Sequence, residues 1–206
     1  MGFFQNVKKL FAKPTVQPLP EFPVILLDDI PAASAILFYG GNKLTELVGN
    51  RLYDYPFRPP AFHAAFYIGG VDHLFLNVGK FRTIQRLEDE LRSTRRVDII
   101  VYKTIEPHIR EHLASTATLD YSHPKVGLEL PDYAFTDYLR FGLRFLKPSK
   151  KDFCSENVVE LFASQNVKTS ARAAVDTAPW DLVEFAEANQ GACDIRTFWV
   201  GKDFGK

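Results

Sequence analysis

Long apolar runs, cysteine pairs and net charge are all missing from this chain of 206 residues. The longest apolar stretch, around Phe22–Leu27, falls far short of the ~18–20 residues that span a bilayer, so no transmembrane segment is expected. Cysteine occurs only as Cys154 and Cys193, with no CxxC, which argues against a disulfide framework and against a cysteine-rich zinc site. Lys plus Arg and Asp plus Glu number 25 each, so the chain lacks the basic footprint of a nucleic-acid binder. Internal repeats and low-complexity tracts are absent as well. The lysines of Met1–Lys13 follow the apolar residues, and no small-residue cleavage site comes after them, so no secretory signal is expected. Asn6, rather than Ser or Thr, follows Gly2 at the position that myristoylation requires. A cytoplasmic chain, or one delivered as part of an assembly, fits these absences.

What is present is core material. Apolar residues make up 46% of the chain, with 18 Phe and 8 Tyr, enough for a packed domain and too much for disorder. Residues 1–21 read as an arm. Phe3, Phe4, Val7, Leu10 and Phe11 share one helical face, and Pro14, Pro18 and Pro20 then hold the chain extended. That helix either folds back on its own domain or docks on a protein partner. Residues 22–206 read as one domain. Its expected strands are Ala35–Tyr39, Ala61–Ile68, His73–Val78, Arg96–Lys103 and Cys193–Val200. Its expected helices are Asn42–Leu52, Arg82–Arg92, Glu106–Ser115, Phe135–Leu146, Asp152–Gln165 and Pro179–Asn189. Hairpins mixed with separate helices give an α+β class rather than a wound parallel sheet.

Few residues are candidates for chemistry. Asp152 can cap a helix whose first turn holds Phe153, Cys154 and Ser155. A cysteine there sits at the positive end of the helix dipole, which favours thiolate, beside N–H groups able to hold an oxyanion. The competing reading is a small buried hydrophobe. His63 lies in an apolar strand, where it is either a satisfied core residue or a base. Asn77, in the paired strand, is either exposed or the group that orients the His63 ring. His73 is the rival for that third position, or a turn residue. His108 and His112 stand one helical turn apart, but no third ligand is suitably spaced and Glu111 makes no HExxH, so no metal is expected.

Taken together, AFHAAFYIGG, HLFLNVG and the later FCSENVVELF resemble the permuted branch of the NlpC-type papain-like superfamily, which includes the YiiX-like and lecithin retinol acyltransferase-like cysteine hydrolases. His63, Tyr67 and Gly69 match the His-strand motif, and Cys154, Ser155 and Glu156 match the Cys-helix motif. TAPWDLVEF at 177–185 is similar to the segment after the Cys helix. Pro31-Ala32-Ala33 replaces the usual Pro-Gly-Asp. The resemblance spans roughly residues 30–190 and implies a permuted papain-like fold, an antiparallel sheet packed against helices with the Cys at a helix N-terminus. It also implies catalysis by Cys154, His63 and Asn77 through an acyl-enzyme, with Phe153, Ser155 and Tyr67 lining the site and no cofactor. The substrate class is a peptide, amide or ester, cell-wall peptide among them. The alternative expectation is an assembly component such as a phage tail-tip protein, docked through residues 3–11, with the papain-like site active or degenerate.

Overall fold

Two apolar runs form the middle of the sheet. Ser34–Tyr39 (β1) and Arg96–Tyr102 (β5) are buried at every residue, which requires packing on both faces. A computed structural model describes residues 27–39, 61, 63–78, 82–91, 94, 96–122 and 153–199. The expected arm at 3–11, the expected helices at 42–52 and 135–146, and Asp152 lie outside these residues.

The described residues form an α+β structure. The remaining strands are β2 (His63–Gly69), β3 (Leu74–Val78), β4 (Arg82–Arg86) and β6 (Cys193–Trp199). Together with β1 and β5 they make one six-stranded sheet of order β4-β3-β2-β1-β5-β6, antiparallel at every junction. The helices are α1 (Leu87–Leu91), α2 (Pro107–Ser122), α3 (Cys154–Ala163) and α4 (Pro179–Ala188). Leu27–Asp29 and Ala174–Asp176 are short 3-10 turns.

Strand alternation sorts the core into two layers. Ala35, Leu37, Ala64, Phe66, Leu76, Ile100 and Tyr102 pack with residues of α2, α3 and α4. Ile36, Phe38, Ala65, Tyr67, Phe75 and Ile99 point the other way, where Ile30 and the α1 leucines Leu87 and Leu91 cover them. On the helix side, the Phe162 ring meets Phe66 and Tyr102 at centroid distances of 5.3 and 4.7 Å, so α3 lies against the sheet.

The expected helix at Arg82–Arg92 is corrected. Arg82–Arg86 forms β4 along the open edge of β3, and the helix begins at Leu87, covering Leu87–Leu91. Pairing there satisfies backbone groups that the β3 edge would otherwise leave bare. The expected α2 also runs longer, to Ser122. The β2–β3 connection turns on glycine: Gly69 has φ +90°, and a Cβ there would lie 3.3 Å from that of Ala32.

A charged cluster is buried in the sheet. Arg96 donates from Nε and Nη2 to the Asp98 carboxylate at 3.0 and 2.6 Å. The Tyr39 hydroxyl donates to the same carboxylate at 2.6 Å, and the Arg96 guanidinium lies 4.3 Å from the Tyr39 ring centre. Removing one member strands the other charge away from water, typically a loss of about 3–5 kcal/mol. Asp98→Ala is therefore expected to lower unfolding free energy by about that amount, measured by urea titration, and the double variant Asp98→Leu/Arg96→Met to be clearly more stable than Asp98→Ala.

Candidate active site

The site is built outward from His63, the first residue of β2. Its ring stacks on Phe38, its partner in β1, with centroids 5.8 Å apart and planes 22° off parallel. Phe66 pairs with Leu76 across β2 and β3, which puts Asn77 on the same face as His63 and on the diagonal to it. The His63 Nε2 to Asn77 Oδ1 distance is 2.7 Å. The Asn77 amide in turn donates from Nδ2 to Gln85 Oε1 at 2.9 Å. Gln85 stands on β4 opposite Phe75, so one polar line crosses three adjacent strands.

The line fixes a tautomer. Asn77 spends its NH2 on Gln85, and its Oδ1 only accepts. His63 therefore donates from Nε2, and Nδ1 becomes the basic nitrogen. Burial disfavours the imidazolium and pulls the His63 pKa down to about 4, against a smaller upward pull from Asn77. The ring is thus neutral at pH 7.

Cys154 is the first residue of α3 and is completely buried. The capping differs from expectation. Phe153 takes the cap position with φ −107° and ψ 153°, and its side chain has no acceptor. The Glu156 carboxylate instead accepts the Phe153 N–H at 3.3 Å, half of a capping box. The first helical bond runs from Asn157 N–H to Phe153 C=O at 3.0 Å, so the N–H groups of Cys154, Ser155 and Glu156 precede the ladder.

The structure brings His63 and Asn77 together, and Gln85 with them. Cys154 packs on the helix side, in the layer that holds Ala64 and Phe66. Alternation along β2 turns His63 toward the layer of Phe38, Ala65 and Tyr67. The expected line-up of sulfur and imidazole across one cleft is not what these two faces display.

Two expected lining residues have structural posts instead. The Ser155 hydroxyl donates to Thr177 C=O at 2.5 Å, tying α3 to the segment that enters α4. Tyr67 lies four residues along β2 from His63, and its hydroxyl is 3.0 Å from His73 Nδ1. Burial, then the nearby Asp28 charge, raise its pKa to about 12, so it stays a neutral phenol. His73 is a turn residue with φ +48°, and its Nε2 faces Asp28 at 3.6 Å, away from Asn77's end of the sheet. Phe153 stays beside Cys154 in the core. His108 is exposed and pairs with Glu106 at 3.3 Å, and His112 is exposed too. Gln85 was missed because its segment reads as helix.

The His63 shift has a definite pH sign. Its folded value lies below the ordinary histidine value of 6.5, so the unfolded chain binds the extra proton between the two. The associated stability is complete above about pH 6.5 and is lost progressively as pH falls toward about 4. His63→Gln is expected to flatten the stability difference between pH 7 and pH 4 relative to the parent, read by denaturant unfolding at each pH. Equal slopes for the two proteins would show that the ring carries no such shift.

Compared with known proteins, the chain matches no family model and no curated protein sequence.

Proposed function

We propose that the protein is a cysteine hydrolase of permuted papain-like type, acting on a peptide, amide or ester bond, with cell-wall peptide as one candidate substrate. The observation that carries the reading is the His63–Asn77 bond of 2.7 Å, which leaves Nδ1 as the base. Support comes also from a cysteine in the first helical turn, where the dipole and leading N–H groups favour negative charge.

In this reading Nδ1 accepts the thiol proton as Sγ attacks the carbonyl carbon. A C–S bond forms and the carbonyl π pair moves to oxygen. The Cys154 N–H and a neighbouring donor hold that oxyanion. The Phe153 N–H is engaged by Glu156, so the second donor comes from elsewhere. Collapse breaks the bond to the leaving group, which takes the proton from Nδ1. Water then cleaves the thioester, again with Nδ1 as base. Asn77 holds the ring, and Gln85 holds Asn77.

A second reading is an assembly component, such as a tail-tip protein docked through residues 3–11, that keeps the fold with a degenerate site. Complete burial of Cys154 and the opposed faces favour it.

Alkylation by iodoacetamide, followed residue by residue with mass spectrometry, separates the two. As hydrolase, Cys154 is expected to react at least about tenfold faster than Cys193, with His63→Ala removing the advantage and Gln85→Leu reducing it less than Asn77→Ala does. Equal, slow labelling of both cysteines, unchanged by His63→Ala, would leave the assembly reading.

A further inference from the structure

Both outer strands of the sheet leave one side unpaired among the described residues: β4 is bonded to β3 alone, and β6 to β5 alone. An unpaired edge is a template for another strand, and proteins commonly blunt it with charge. The two edges differ in that respect. β4 reads RTIQR, with arginine at either end and no acid, so no register against a second β4 gives an opposite-charge pair. β6 reads CDIRTFW and carries one charge of each sign.

The outward backbone groups of β6 are identifiable. Lys103 N–H donates to Ala192 C=O at 2.8 Å, one step beyond the Tyr102–Cys193 pair. Bonded positions alternate along an antiparallel ladder. Asp194, Arg196 and Phe198 therefore turn their backbone groups toward β5, and Ile195 and Thr197 turn theirs outward. Cys193 faces outward too. Its N–H is taken by Asn189 C=O at 2.9 Å, which leaves its carbonyl. Among the side chains, Asp194 and Arg196 share one face of the strand and are 47% and 38% exposed. Arg196 donates from Nε to Asp194 Oδ2 at 3.1 Å and from Nη1 to Asp29 C=O at 2.9 Å, and its Nη2 has no partner among the described residues. Ile195 is half-buried on the helix side.

We propose that β6 is a homodimer interface, in which two copies of the chain pair antiparallel about a two-fold axis at Ile195 and join their sheets into one. The contact is isologous. Each Ile195 exchanges N–H···O=C bonds with its counterpart, and each Thr197 N–H reaches the Cys193 carbonyl of the second copy. Asp194 of each copy stands directly opposite Arg196 of the other. Those are the non-hydrogen-bonded positions, where cross-strand side chains come closest, and each Nη2 gains a carboxylate there. Moving the axis one residue, to Asp194 or to Arg196, would set like charges against each other, so charge selects the register. On the helix side Ile195 covers its counterpart. The interface uses neither His63 nor Cys154 and is independent of the hydrolase reading.

Sedimentation velocity of the full chain across a concentration series tests it. The parent is expected to pass from monomer to dimer as concentration rises. Asp194→Arg and Arg196→Asp each put two like-charge pairs at the interface, and each alone is expected to dimerise roughly tenfold more weakly. Mixed together, the two variants are complementary again at both positions and are expected to recover the parent's association as a heterodimer. Ile195→Pro removes an outward N–H that β5 does not use, so the chain is expected to keep its far-ultraviolet circular dichroism and to lose the dimer. A parent that stays monomeric at every concentration, charge variants that associate as the parent does, or a mixture that stays monomeric would each overturn the proposal.

Discussion

Burial of the central strands on both faces is the constraint on which everything else depends. In such a sheet each side chain goes to one layer or the other, and a shift of one residue would exchange the layers. The register Ala35↔Phe66 and Ala35↔Ile100 places three apolar side chains in one row facing the helices. Their neighbours Ile36, Ala65 and Ile99 make the opposite row. The position of His63 follows from this, because it is locked to the Phe38 side by the same alternation that locks Ala64 and Phe66 to α3. The polar line from His63 to Gln85 is therefore a property of sheet register rather than of any loop.

Polar groups survive in this core because they meet one another across strands. Asp98 gathers Arg96 and Tyr39 on the helix side. Tyr67 meets His73 at one end of β2, and His63 meets Asn77 at the other. Each contact offsets a desolvation cost that an isolated group would carry in full. Helix starts are handled in the same way, by carboxylates rather than by cap side chains: Glu156 accepts from Phe153 N–H, and Asp181 accepts from Ala178 N–H at 2.7 Å. Against that background three buried atoms among the described residues stand apart without a hydrogen-bond partner, the Tyr102 hydroxyl, Asn157 Oδ1 and the Thr169 hydroxyl.

The strands were legible where composition left no choice. AILFY, HAAFYI and DIIVY are apolar and β-branched or aromatic enough that burial in a sheet is their only economical state. Glycines marked the β2–β3 turn for a reason visible at Gly69, where a Cβ would crowd Ala32. RTIQRLEDEL was misread because its second half has helical spacing, with Leu87 and Leu91 four apart, and its first half forms a strand only because β3 offers an unpaired edge. That edge is a tertiary fact. The approach of His63 to Asn77 was foreseeable from hairpin length. The posts taken by Ser155 and Tyr67 were not, because each depends on a distant segment, Thr177 for one and the His73 turn for the other.

The charge state of His63 constrains how any chemistry here would start. An imidazole pulled toward pKa 4 by burial does not supply a resident imidazolium to stabilise a thiolate, so a ground-state ion pair with Cys154 is disfavoured. The N-terminus of α3 is a fixed source of positive potential at the sulfur, worth about 0.3–1 kcal/mol per charge. On the proposed reading, the ring is neutral before attack and takes up the proton as the C–S bond forms. Asn77 suits that arrangement: a neutral amide oxygen orients the Nε2–H without adding the negative charge that would raise the ring's pKa, as a carboxylate in its place would. Burial of His63 therefore outweighs the smaller upward pull of Asn77, and the ring stays uncharged.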